Sequence, residues 1–165
     1  SKGLNCAIPS LVRTEADELT YCMHIILRYE IERDLFSGKI NVDDLPNVWN
    51  QKMKEYLGVE VINDKDGVMQ DVHWAEGDFG YFPSYLIGSI FDGMFLEIIE
   101  NDLGSIDEIL KSGNIKVITK YLIENIYVNG EAFTGREVLE KLGRSNLSVV
   151  PLVTYFYKKY GNKNY

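Results

Sequence analysis

A chain of 165 residues, 45% hydrophobic and 25% charged, carries enough apolar material to bury a sizeable core, which excludes disorder as a description of the whole. Its formal net charge of -8 repels phosphate and so excludes general nucleic-acid and anionic-membrane binding. No apolar run approaches the ~18 residues that span a bilayer, and two cysteines (Cys6 and Cys22) without a C-x-x-C make no disulfide framework, so a reduced, cytoplasmic chain is expected.

The opening stretch SKGLNCAIPSLVR has no charged region followed by an apolar block, so no signal peptide is expected. A start at Ser1 without an initiator Met suggests a piece of a longer chain. Thr14 to Phe36 reads as a long helix closed by Ser37-Gly38. Asn41 to Leu57 reads as a second, with Asn41 as cap, Pro46 in the first turn and Gly58 at its end. A loop from Val59 to Asp66 leads to a short predicted helix, Val68 to Trp74, and then to the glycine-containing loop AEGDFG. Further helices are predicted from Pro83 to Asn101, Ile106 to Lys111, Ile115 to Val128, Arg136 to Leu142 and Leu152 to Tyr160. The expected fold class is all-α, with residues 1–165 forming a single helical segment.

Three clusters of polar residues could carry chemistry. Arg13, Asp17, Thr20, His24 and Arg28 are spaced 4, 3, 4 and 4, which puts them along one side of a helix. That ridge is either a solvated face or the wall of a polar cleft, in which Arg13 offers a planar fork to a carboxylate and Asp17 holds the fork in place. In GVMQDVHW, Gln70 shares a helical face with His73 and Trp74. The cluster either pins a short helix or presents His73 as a donor or proton carrier oriented by Asp71 or Gln70. In FGYFPSYLIG, Tyr81 and Tyr85 are four apart beside Gly77 and Gly80; they are either core aromatics or phenol donors for an oxyanion. No metal site can be assembled from His24 and His73, and H-E-x-x-H, G-x-S-x-G, P-loop and dinucleotide-binding patterns are absent.

Two of these stretches carry a family resemblance. VRTEAD at Val12–Asp17 resembles the I/V-R-x-x-A-D motif of the thermostable carboxypeptidase Taq type, the M32 metallocarboxypeptidases, and GVMQDVHW at Gly67–Trp74 matches that family's G-x-x-Q-D-x-H-W at every fixed position. The likeness runs from Ser10 to about Phe95, with Cys22 standing where an asparagine is commoner. It implies the C-terminal portion of a helical, gluzincin-like zinc peptidase that removes single residues from peptide C-termini. In that family the metal, zinc or cobalt, is held by H-E-x-x-H and a downstream glutamate that precede the I/V-R-x-x-A-D motif. The resemblance therefore implies that this chain alone holds no metal, is inactive by itself, and works with a missing N-terminal portion. It further implies a homodimer, with peptide C-termini as the substrate. Carried over residue by residue, Arg13 binds the substrate's terminal carboxylate and Asp17 supports it. Gln70, Asp71 and Trp74 belong to the substrate-binding motif, while His73, Tyr81 and Tyr85 contact the substrate and its oxyanion. A non-catalytic helical module that binds peptides or a partner is the alternative from a different class, and a truncated, inactive gene product is a third.

Overall fold

The computed structural model describes residues 6–161, and among them every regular element is a helix. They divide into two compact units, one running to Ile87 and rejoined by the chain from Lys159, the other Gly88–Lys158. No helix of the described residues is long and apolar enough to cross a membrane.

In the first unit, helix α1 spans Glu18–Phe36. It starts later than the apolar pattern predicts because Asp17 is its N-cap: the carboxylate accepts from the backbone N–H groups of Leu19 and Thr20. Arg13–Glu15 instead forms a separate 3-10 turn, with Ala16 extended between the two. Helix α2, Leu45–Leu57, has Pro46 in its first turn, where a missing N–H costs nothing. It ends at Gly58, whose φ of 69° is the left-handed conformation that glycine adopts without strain. Leu27 and Ile31 of α1 pack against Trp49, Met53 and Leu57 of α2, all buried at helical spacing. Each such side chain contributes about 1.5–3 kcal/mol relative to exposure. Lys52 and Tyr56 both donate to Glu30 Oε2, at 2.6 and 2.5 Å, so α1 and α2 are also joined at their polar margin.

The helix predicted over Val68–Trp74 does not form. The backbone from Asp64 to Gln70 closes in turns, with the Gly67 and Met69 N–H groups both donating to Asp64 O, and helix α3 is only His73–Glu76. Gly67 has no room for a side chain, since a Cβ there would lie 2.7 Å from Val61 Cγ1 and 3.0 Å from Asn63 O. Helix α4, Pro83–Leu103, follows; the division between the units falls within it.

The second unit packs Met94, Ile98 and Ile99 of α4 against Tyr121 and Leu139. Helices α5 (Ile106–Lys111) and α6 (Ile115–Asn125) are followed by a 3-10 turn over Tyr127–Asn129, so the helix predicted to reach Val128 breaks three residues early. Helix α7, Gly135–Lys141, starts on a capping box in which Thr134 and Glu137 satisfy each other's backbone N–H groups. Helix α8 spans Val150–Tyr160. Gly93 lets α4 approach α8 closely, with its Cα beside the backbone of Leu152.

Candidate functional site

Four of the five residues of the polar ridge are buried, not solvated. Arg13 is 8% exposed, His24 and Arg28 are 0%, and Thr20 is also buried. Burial of two guanidinium groups is tolerable only with a charged partner, and that partner is Asp71. Arg13 Nε donates to Asp71 Oδ1 at 2.9 Å, with Nη2 at 2.8 Å from the same oxygen. Arg28 Nε donates to Asp71 Oδ2 at 2.7 Å, with Nη2 at 2.6 Å. Burial opposes ionisation of Asp71, but the charge of Arg28 and the hydrogen bonds from both arginines outweigh it and hold its carboxyl below the usual carboxylate range. Burial brings Arg28 down to about 10 against the pull of Asp71, so it stays charged at neutral pH. Burial also acts to lower Arg13, but Asp71 and Tyr21 outweigh it and its affinity for the proton is raised.

Gln70 locks this arrangement. Its Oε1 accepts from the Arg13 backbone N–H at 3.0 Å and from Arg28 Nη2 at 2.8 Å, and its Nε2 donates to the carbonyls of Leu11 and Asp66. Both lone pairs and both N–H groups of the amide are thus used. Asp17 does not hold the Arg13 fork, as the sequence suggested. Its oxygens are taken by the start of α1, by Thr20 Oγ1 and by the Ile8 N–H, so it fixes the entry into the helix one turn away from the fork.

Gln70, His73 and Trp74 do not share a helical face, because the segment before α3 is turned. Gln70 faces the arginines. His73 faces the tyrosines, with Nε2 3.1 Å from the Tyr85 hydroxyl and its ring stacked on Tyr81 at a centroid distance of 5.7 Å. Trp74 donates its indole N–H to Glu32. Buried Phe82 lies under His73, with ring centroids 4.6 Å apart. His73 Nδ1 is buried without a partner.

The two halves of the site meet at Arg13. Its guanidinium lies over the Tyr85 ring at 5.1 Å from the centroid and over Phe82 at 5.7 Å, and its Nη1 donates to the Tyr21 hydroxyl at 3.1 Å. A fixed cation and a phenol donor thus stand side by side, with Tyr81 about half exposed next to them. Sequence reasoning picked out Arg13, Gln70, Asp71, His73, Trp74, Tyr81 and Tyr85 but missed the roles of Arg28, Glu32, Tyr21 and Phe82. For Glu32 a signal existed: it extends the 20-24-28 ridge by one further turn. For Phe82 and Tyr21 the sequence offers none.

Among the described residues, no group of three or more His, Cys, Asp or Glu side chains is placed to hold a metal ion. His24 is enclosed beside Arg28, whose Nη1 lies 3.4 Å from Nδ1; burial first and that charge second push its pKa down to about 4.

The family model described as carboxypeptidase Taq (M32) metallopeptidase matches residues 1–160. The chain is 41% identical over 161 residues to carboxypeptidase 1 of Bacillus subtilis and 40% identical over 158 residues to thermostable carboxypeptidase 1 of Thermus thermophilus. It covers 98% and 96% of itself in these matches but only 32% and 31% of those proteins. Among solved structures it matches metallocarboxypeptidase 1 of Trypanosoma cruzi with a TM-score of 0.89 and 38% identity, over 96% of this chain and 34% of that one. It thus spans about a third of the length of the relatives it matches. The chain belongs to the carboxypeptidase Taq (M32) family of metallopeptidases.

Proposed function

We propose that this chain is the C-terminal, substrate-anchoring part of a metal-dependent carboxypeptidase that removes single residues from peptide C-termini. The observation that carries the reading is a charge imbalance. Arg13 and Arg28 share one carboxylate, Asp71, and have no second one within ion-pair distance among the described residues. The triad therefore holds one buried positive charge in excess, and a buried excess charge calls for an anion. A peptide's terminal carboxylate is such an anion. Arg13 has donors left on Nη1 and Nη2, because each of these nitrogens carries two N–H groups and makes one contact. Asp71 and Tyr21 fix the plane of the fork, so little ordering remains to be done when substrate arrives.

With the carboxylate on Arg13, the last peptide bond falls toward the tyrosines. Tyr85, its hydroxyl 3.1 Å from His73 Nε2, stabilises the carbonyl oxygen as negative charge develops there. Tyr81, stacked on His73, is the second donor of that pair. The metal implied by the family would, when bound, supply activation of the attacking water. The described residues do not fit it, since His24 is closed off beside Arg28 and His73 is engaged with Tyr85, so we place its ligands, zinc or cobalt being the metal, outside this chain. The chain's own contribution is positioning and electrostatics.

The test is a digest by the full-length protein of a peptide with a free C-terminus and of the same peptide amidated. Sequential loss of single C-terminal residues from the free acid alone supports the reading. Internal cleavage, or release from both at equal rates, refutes it.

A further inference from the structure

We propose that Glu32 is the positioning residue of the oxyanion side of the site: its carboxylate fixes the 74–80 segment and so holds His73 against Tyr85. The inference rests on the reading above, in which Tyr85 acts on the substrate.

Glu32 lies on α1, one turn beyond Arg28, and is 4% exposed. Its Oε1 accepts the Trp74 indole N–H at 2.7 Å and its Oε2 accepts the Gly80 backbone N–H at 3.0 Å. Trp74 follows His73 in α3, and Gly80 precedes Tyr81. One carboxylate therefore clasps both ends of the segment between the histidine and the tyrosines. That segment needs holding. Helix α3 is four residues long, far too short to be stable by itself. The segment also turns at two glycines in the left-handed region, Gly77 at φ 84° and Gly80 at φ 78°. A glycine there leaves the backbone freer in the absence of an anchor.

The choice of a carboxylate is itself informative. Glu32 makes no ion pair among those of the described residues, so its buried charge is satisfied by two neutral N–H donors. Burying an anion in this way is costly, and a hydrophobic residue would pack at less cost. What a carboxylate uniquely supplies is two acceptor oxygens and no donor. An amide in its place turns an NH₂ toward one of the two donors and must release it. Arg13 is held by Asp71 and Gln70, whereas Glu32 bonds Trp74 and Gly80, so loss of the clasp leaves the carboxylate anchor in place.

The experiment compares Glu32→Gln, Tyr85→Phe and the double variant in the full-length protein, with Glu32→Asp as the conservative control. Glu32→Gln is expected to lower kcat ~10-fold at nearly unchanged KM, because a misplaced catalytic group costs rate rather than anchoring. Glu32→Asp keeps two acceptor oxygens and should recover part of the loss. Combined with Tyr85→Phe, Glu32→Gln should add little, since both act through the same group. A normal kcat per folded molecule in Glu32→Gln, or losses that multiply in the double variant, overturns the proposal. Should Tyr85→Phe alone leave kcat unchanged, the functional reading fails while Glu32 is still decided by NMR. The NOE between the His73 and Tyr85 rings weakens in Glu32→Gln if the clasp sets the His73–Tyr85 contact, and an unchanged NOE overturns the proposal.

Discussion

Arg28 and Asp71 face each other across 43 residues of sequence, with Nε 2.7 Å and Nη2 2.6 Å from Oδ2. Arg28 is fully enclosed and lies 4.6 Å over the Trp49 ring, so it is a fixed post on α1 rather than a mobile side chain. The Asp71 it holds presents its other oxygen to Arg13. The orientation of the proposed substrate anchor is thus set from the helical core through two charge contacts.

Asp71→Asn removes the only carboxylate paired with either guanidinium among the described residues. Breaking a buried pair by removing one partner costs about 3–5 kcal/mol, because the remaining charge is left uncompensated. Urea unfolding should show a loss in that range. A loss below about 1 kcal/mol would mean that water, not Asp71, satisfies the two arginines.

His24 predicts a specific acid sensitivity. Its folded pKa of about 4 lies below the ordinary value of 6.5, so between those pH values the unfolded chain takes up a proton that the folded chain refuses. Stability from this group is complete above pH 6.5 and declines as pH falls toward 4. Asp71, held below the carboxylate range, acts only at lower pH. The fall in Tm from pH 6.5 to 4.5 should therefore be smaller in His24→Asn than in the wild type; equal falls would show that His24 is not the group responsible.

Much of this was legible before the structure. The helical period located all the long helices, and Ser37-Gly38 and Gly58 stopped two of them where expected, because backbone conformation at a glycine is a local property. What failed was local pattern overridden by tertiary contacts. Val68–Trp74 has a helix-like spacing, yet Gln70 is drawn to four partners as far away as Leu11, and the backbone turns to allow it. The same limit applies to Asp17 and Asp71. Asp17 belongs to the motif of Arg13 and Asp71 to the other motif, and only the fold decides that the first caps a helix while the second binds the guanidinium.

Tyr85→Phe separates chemistry from scaffold. If the hydroxyl stabilises the oxyanion, kcat falls by ~10²–10³ with KM nearly unchanged, the size found on losing one such donor. Melting should fall only modestly, since the hydroxyl's contact with His73 is lost but the ring contacts to Tyr81 and Phe82 remain. A lowered Tm with normal kcat per folded molecule would return Tyr85 to a packing role.

Gly93→Ala tests the second unit. Alanine favours helix by about 1 kcal/mol over glycine, but its Cβ would lie 2.7 Å from the Leu152 backbone, which has no flexible end to move aside. The clash should win, with a net loss of about 1–3 kcal/mol. A stabilised variant would show that α4 and α8 are more loosely apposed than described.

The most direct test of the central claim is a comparison of kcat/KM for a free-acid peptide and its C-terminal amide, in the full-length protein and in its Arg13→Ala variant. If Arg13 receives the terminal carboxylate, the variant loses most of its rate on the free acid and little on the amide, so the preference for the acid collapses. Arg13→Lys should restore only part of it, because a point charge does not reproduce a planar fork. A preference for the free acid that survives Arg13→Ala undiminished would contradict the assignment.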